Sequence, residues 1–272
     1  MRSPLDIPAA GGLGLRIGSA VVLVPVVLFA AWRGGLLYLA LVAAMAGILV
    51  WEWLGLMRRV PGALPRRVLA VLTGAVVAAT GLSAAVWPLL ALPALLAAWV
   101  MRPRDVETAL GFLAPLYVGG ACVALVLLRR DFGAAATIWA FLLVWATDTG
   151  AYAFGRSIGG PRLAPRISPN KTWAGLFGGM ACAALVGAGA IFTDAAAGLP
   201  VAALAAFGGA TALVAQGGDL FESVLKRRVG VKDSGVLIPG HGGLFDRVDG
   251  LMTAAPMVLV SLWAVRWLEV AS

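Results

Sequence analysis

The feature that limits this chain most is a succession of continuous apolar runs, rich in Ala, Leu and Val, separated by short segments that collect the arginines. The runs cover about Ile17–Ala31, Leu36–Leu56, Val68–Val86, Leu89–Met101, Ala109–Leu128, Ala134–Thr147, Thr172–Phe192, Val201–Ala215 and Leu251–Trp267. They are continuous instead of alternating apolar with polar, which favours helices over barrel strands. With 61% hydrophobic and 12% charged residues and a mean hydropathy of +0.94, a soluble fold could not cover its own apolar surface. The expected fold class is therefore all-α: a polytopic integral membrane protein with about nine transmembrane helices. The fourth and sixth runs fall short of the ~20 residues that cross a bilayer core, so their boundaries are the ones most apt to move.

Within this frame several lone signals have ordinary explanations. Residues 1–16 form a polar lead, and the first run resembles a signal-peptide core. More runs follow at once, so it reads as an uncleaved first helix. Gly34-Gly35 turns the chain into the second run, where the lone acid Glu52 sits close enough to the end to snorkel to the interface. The loop 57–67 carries Arg58, Arg59, Arg66 and Arg67, and Trp87-Pro88 marks an interfacial turn. Cys122 and Cys182 lie inside apolar runs without metal-ligand spacing and read as buried thiols.

Orientation is set by the cations. With the N-terminus inside, 17 of the 21 Lys and Arg residues fall on one side, leaving Arg33, Arg129, Arg130 and Arg266 opposite. The positive-inside rule then puts the N-terminus in the cytoplasm, and the protein is expected in the cell's inner (plasma) membrane. The formal net charge of +8 is thereby explained by topology, and no nucleic-acid partner is expected.

Two long polar segments, 148–171 and 216–249, face that same side. The second holds ten charged residues and the chain's one histidine in 34 positions. The expected organisation is one membrane-embedded domain over 1–272. Helices within 17–128 give support or lipid access, and 134–267 forms the catalytic part. Asp148, Asp219, Glu222, Asp233, Asp246 and Asp249 all lie at this face among cations, a setting that suits Mg²⁺ and phosphates. Asp246 and Asp249 are three apart, as are Asp219 and Glu222, so each pair shares a helix face if those stretches are helical. Spacing alone leaves two readings open: a metal site, or solvated helix-end charges paired with arginines.

Lys226, Arg227, Arg228 and Lys232 suit either a triphosphate or anionic lipid headgroups. The run Pro239-Gly240-His241-Gly242-Gly243 followed by Asp246-Arg247 resembles a phosphate-holding helix start. Ser168-Pro169-Asn170-Lys171-Thr172 reads either as an anion site or as a plain helix cap.

These motifs together carry a family resemblance. Ser223, Leu225, Lys226, Arg227, Lys232, Asp233, Gly235, Ile238, Pro239, His241, Gly242, Gly243, Leu244, Asp246, Arg247, Val248 and Asp249 match, without a gap, the signature of the phosphatidate cytidylyltransferases, or CDP-diacylglycerol synthases. Gln216-x-Gly218-Asp219-Leu220-x-Glu222, Asp148-Thr149-x-Ala151-Tyr152-x-x-Gly155-Arg156 and Ser168-Pro169-Asn170-Lys171-Thr172-Trp173 are also similar to that family. The matching motifs cover about a third of the chain. One departure stands out: the family often has glutamate where this chain has Ala174, so a role for that acid does not carry over.

The resemblance implies that CTP and phosphatidic acid give CDP-diacylglycerol and diphosphate with Mg²⁺, a second cation being compatible with the family. It implies a catalytic set of Asp219, Lys226, Asp246, Asp249 and His241, the histidine without a proton-transfer role. Asp219, Asp246 and Asp249 are the implied metal ligands, with Asp148 as an additional metal or supporting group. Ser168, Asn170, Lys171, Ser223, Arg227, Lys232, Gly242, Gly243 and Arg247 are the implied substrate-binding residues. It also suggests a homodimer, which nothing in the residues requires. The rival readings are a CTP-dependent polyprenol or lipid kinase and, from another class, a membrane transporter.

Overall fold

The computed structural model describes residues 13–57, 62–102, 105–192, 198–235, 237 and 242–271. The helices are α1 (Leu13–Arg33), α2 (Gly35–Leu56), α3 (Ala63–Leu82), α4 (Ala91–Met101), α5 (Val106–Ser157), α6 (Trp173–Gly189), α7 (Val201–Val229) and α8 (Phe245–Ala271). A two-stranded antiparallel hairpin, β1 (Arg162–Ala164) and β2 (Ser168–Thr172), joins α5 to α6. Six of these helices are long and apolar enough to cross a membrane: α2, α3, α5, α6 with its short 3-10 extension, α7 and α8. The chain is thus a multi-pass, essentially all-helical membrane protein. Large apolar side chains such as Leu36, Leu185, Phe192 and Val270 remain exposed on its flanks, where hydrocarbon is the natural neighbour.

The helices around the two polar segments run further than expected. Polar residues did not end the helices; true breakers did. α5 was expected to give way to a loop at Asp148 but continues to Ser157, stopping before Gly159 and Gly160, both at positive φ, and Pro161. α7 runs fourteen residues past the expected Ala215 to Val229. There Gly230 takes a left-handed cap (φ 77°) and Lys226, Arg227 and Arg228 sit favourably against the C-terminal dipole. α8 opens at Phe245, not Leu251, with Asp246 in its first turn. α3 likewise begins at Ala63, because Pro65 is tolerated in a first turn. It ends at Leu82, and a 3-10 helix, Ala84–Leu90, leads into α4. The fifth and sixth expected runs both fall within α5, on either side of Gly133, where the backbone leaves helical geometry (φ 80°, ψ −169°).

Small residues let α5, α6, α7 and α8 pack closely in sequence. A Cβ at Gly187 or Gly208 would strike the facing backbone of the other helix, so α6 and α7 touch main chain to main chain. α8 closes the group by packing on both α7 and α5, while α2, α3 and α4 lie against α5. Where these halves meet, Trp53 (α2), Tyr117 (α5), Phe221 (α7) and Phe245 (α8) form one aromatic cluster, with ring centroids 5.2–5.7 Å apart.

Two end-clusters fix the vertical register. At one end the α5 residue Arg129 donates to the carbonyls of Ala31 (2.6 Å) and Trp32 (3.0 Å) at the close of α1, and Trp263 of α8 donates to Asp131 (3.1 Å). At the other end lie the close of α2, the end of α7, the hairpin and the start of α8. Glu52 belongs there. It does not snorkel outward: it is 8% exposed, and both its oxygens accept backbone amides from residues 244 and 245. The expected Arg58, Arg59, Pro61 and Arg104 lie outside the described residues. Cys122 is buried and Cys182 partly so, both as free thiols.

Candidate active site

Asp219, Glu222 and Asp249 come together at that second end. One carboxylate oxygen from each lies within 4.8 Å of the others. Asp219 and Glu222 are neighbours because they are three apart on α7, and Asp249 reaches them from α8. The approach depends on Gly218. A Cβ there would stand 2.5 Å from Thr253 Oγ1 and 2.6 Å from the Asp249 carbonyl oxygen, so any side chain would push α7 and α8 apart at the cluster. Gly218→Ala is accordingly expected to lower the rate of the catalysed reaction at least about tenfold while the chain still folds, a spacing effect of the kind that displaces reacting groups. A wild-type rate in the purified variant would show that the helix spacing does not matter.

Two lysines flank the carboxylates from opposite sides. Lys171, on β2, pairs with Asp219 at 2.5 Å and donates to Gln216 Oε1 at 2.9 Å. Lys226, one turn beyond Glu222, bridges Glu222 Oε2 and Asp246 Oδ1, each at 2.7 Å. Asp148, exposed on α5, feels the charges of Asp219, Lys171 and Arg247. The carboxylates outnumber the ammonium groups, so the site is short of positive charge. Glu222 Oε1 makes the point sharply: the residue is 1% exposed and this oxygen has no hydrogen-bond partner. An unpaired carboxylate oxygen in the interior is costly unless a cation or donor completes it. The three-oxygen donor set, all carboxylate, has the chemistry that hard divalent cations favour. The aromatic cluster beneath contributes two further unpartnered buried atoms, Trp53 Nε1 and Tyr117 Oη.

Asp246 lies beside this group and meets several protein donors. Its Oδ1 takes Lys226, and its Oδ2 accepts the backbone amides of Ser234 and Gly243 and the Ser234 hydroxyl, each at 2.9 Å. With both oxygens engaged by protein donors, it ties Ser234 and Gly243 to the start of α8 and holds Lys226. Glu222 joins Asp219 and Asp249 in the three-carboxylate group, and Asp246, an expected metal ligand, borders it through Lys226. The Glu222 signal was present in the sequence as its spacing from Asp219, but nothing there showed that Asp246 would be consumed by its own loop.

The other expected residues divide between engaged and open. Arg227 is spent on structure, donating to the Ile167 carbonyl of the hairpin (3.3 Å) and to Val231 (3.2 Å). Ser223 is buried on α7, whereas Lys232 and Arg247 are exposed at the same end. Ser168 and Asn170 lie on β2, where strand alternation turns them away from the side that Lys171 presents. The cap of α6 is Thr172, whose Oγ1 accepts the Gly175 amide at 3.0 Å. Gly242 takes φ 82°, and both it and Gly243 leave room that a Cβ would deny to Asp246 Oδ2 and Ser234 Oγ respectively. His241 lies outside the described residues. Ser234 enters the site's structure without having been singled out, as do Gln216, named only within a motif, and Glu52, read only as a helix-end acid. An acid buried in an apolar helix was the available sign for Glu52.

Known proteins resemble the chain over part or nearly all of its length. A phosphatidate cytidylyltransferase of Pseudomonas aeruginosa is 36% identical over 275 residues, covering 93% of this chain and 97% of that protein. Relatives of the same name from Brucella suis and Staphylococcus epidermidis are 48% identical over 147 residues and 45% identical over 134 residues. The chain spans about half the length of these last two, at 53% and 51%. The cytidylyltransferase family matches residues 14–265, from the first helix to near the end of the last, and so takes in every element of the site. The chain belongs to the cytidylyltransferase family.

Proposed function

We propose that this protein transfers the cytidylyl group of CTP to phosphatidic acid, giving CDP-diacylglycerol and diphosphate, in a Mg²⁺-dependent reaction of phospholipid synthesis. The observation that carries the reading is the carboxylate triad Asp219, Glu222 and Asp249 held between Lys171 and Lys226 at one end of a membrane helix bundle. The names of the relatives supply the substrate pair.

In this reaction a phosphate oxygen of phosphatidic acid attacks the α-phosphorus of CTP. One P–O bond forms there as the bond to the β-phosphate oxygen breaks, and diphosphate leaves with its electron pair. The attacking phosphate is already a nucleophile, so the protein's task is to bring two anions together and offset the charge that builds between them. Asp219, Glu222 and Asp249 would hold Mg²⁺, which supplies charge neutralisation at the phosphates. Lys226, fixed by Glu222 and Asp246, and Lys171, fixed by Asp219, present ammonium groups on either side. Lys232 and Arg247, exposed at the mouth, suit the triphosphate, while Asp148 adds negative charge at the rim. Ser223, Gly242 and Gly243 would shape the phosphate-binding surface around them, with Ser168 and Asn170 supporting the hairpin strand that carries Lys171.

The distribution of cations supports a cytoplasmic N-terminus and a site on the cytoplasmic face of the inner membrane. With α5 counted as two passes bent at Gly133, the path has nine crossings. Such a path keeps Arg129, Asp131 and Trp263 together on the far side, as their contacts require. In this reading α5–α8 carry the site, and α1–α4 support it and border the lipid.

CTP labelled at either phosphate tests the transfer. With phosphatidic acid and Mg²⁺, label at the α-phosphate is expected in the lipid and label at the γ-phosphate in diphosphate. A γ-label appearing in lipid would instead identify a kinase.

A further inference from the structure

Glu52 is the one acid of α2, in the half of the chain that the motifs leave untouched, yet it reaches the start of α8. Its Oε1 accepts the Leu244 amide at 2.9 Å and its Oε2 the Phe245 amide at 2.8 Å. These are amides at a helix start, which have no partner within the helix, and a negative charge there also suits the helix dipole. Two glycines make room for the carboxylate. A Cβ on Gly235 would stand 2.9 Å from Oε1, and one on Gly243 would stand 2.9 Å from Oε2. The end of α2, the loop at 234–235 and the chain entering α8 thus close around one buried side chain.

The first turn of α8 links this contact to the carboxylate cluster. Phe245 directly precedes Asp246, which holds Lys226, and Asp249 lies one turn further, in the cluster itself. The height and rotation of that first turn decide whether Asp249 meets Asp219 and Glu222. We propose that Glu52 is a positioning residue for the reaction, setting the first turn of α8 so that Asp249 and Lys226 face the phosphates. This rests on the reading of Asp219, Glu222 and Asp249 as the metal-holding group. It also gives the N-terminal helices a part in catalysis beyond lining the bundle.

Glu52→Gln keeps the side chain's size but sets an amide NH₂ against a backbone N–H. In the purified full-length protein, kcat should fall about 10²-fold, as expected when a reacting group is displaced by about 1 Å. The Mg²⁺ concentration giving half-maximal rate should rise severalfold, and thermal unfolding in detergent should show a folded protein. Gly235→Ala leaves every charge in place and presses chiefly on Glu52, its Cβ standing 2.9 Å from Oε1 and 3.4 Å from the Gly243 Cα, so it should shift the Mg²⁺ dependence in the same direction. It also decides the matter should Glu52→Gln fail to fold. Unchanged Mg²⁺ dependence in the folded variants, with or without a loss of rate, would overturn the proposal and leave Glu52 as a fold contact only. Asp249→Asn, run alongside, separates the two ideas. If it stays active, the metal-site reading fails and the Glu52 proposal falls with it. If it is inactive while both Glu52→Gln and Gly235→Ala keep wild-type Mg²⁺ dependence, the Glu52 proposal alone fails.

Discussion

Asp246→Asn is expected to cut cytidylyl transfer at least about 10²-fold and to destabilise the detergent-solubilised protein by about 3 kcal/mol, the range for breaking a buried, hydrogen-bonded ion pair. The asparagine side chain has nearly the same shape, so packing does not drive the loss. Asp246 uses both oxygens: Lys226 on one, and the Ser234 amide, Ser234 hydroxyl and Gly243 amide on the other. Asparagine offers a single oxygen. Whichever way its amide turns, an NH₂ group faces either an ammonium or three donors, and the side chain is only 7% exposed, so water cannot repair the mismatch. Lys226 would then lean on Glu222 alone, and Ser234 and Gly243 would lose their tie to α8. Thermal unfolding together with a transfer assay measures both effects. A variant with wild-type stability and rate would refute the anchoring role.

Asp249→Asn is expected to have the larger effect on catalysis, about 10³-fold or more, with a smaller change in stability. Asp249 accepts one hydrogen bond from the neighbouring Gly250 amide (2.7 Å), and its contribution is otherwise the negative charge it brings to Asp219 and Glu222. Neutralising it relieves repulsion among the three carboxylates, so the protein without metal should tolerate the change. The lost charge is the one that would hold Mg²⁺ from the α8 side. The contrast between positions 246 and 249 is therefore diagnostic. One variant should lose stability and activity together, the other activity with stability largely kept. A rate assay paired with unfolding in the absence of Mg²⁺ distinguishes them, and equal stability losses would merge the two roles.

Much of the architecture was legible because hydrocarbon leaves few choices: long apolar runs in lipid become helices. The ends were less legible. Polar residues near Asp148, Asp219 and Asp246 looked like loop, but in a helix they only change the face's chemistry, and the backbone continued until Gly159-Gly160 or Gly230 stopped it. The site was legible in its residue types and in the three-residue spacings of α7 and α8. Its division of labour was not. Asp246 and Asp249 look alike in sequence, and only the placement of Ser234 and Gly243 beside Asp246, and of Asp219 and Glu222 beside Asp249, tells them apart. Glu52 was hidden for a related reason: its partners are 192 and 193 positions away, a separation that no local pattern encodes.

The most direct measurement is Mn²⁺ binding, as a spectroscopic substitute for Mg²⁺, to purified protein in detergent with CTP present, followed by electron paramagnetic resonance. Wild-type protein should bind Mn²⁺ in competition with Mg²⁺, Asp249→Asn should lose that binding, and Asp246→Asn, to the extent that it stays folded, should retain it more weakly. Binding by Asp249→Asn as tight as wild type would contradict the assignment of Asp219, Glu222 and Asp249 as the metal-holding group.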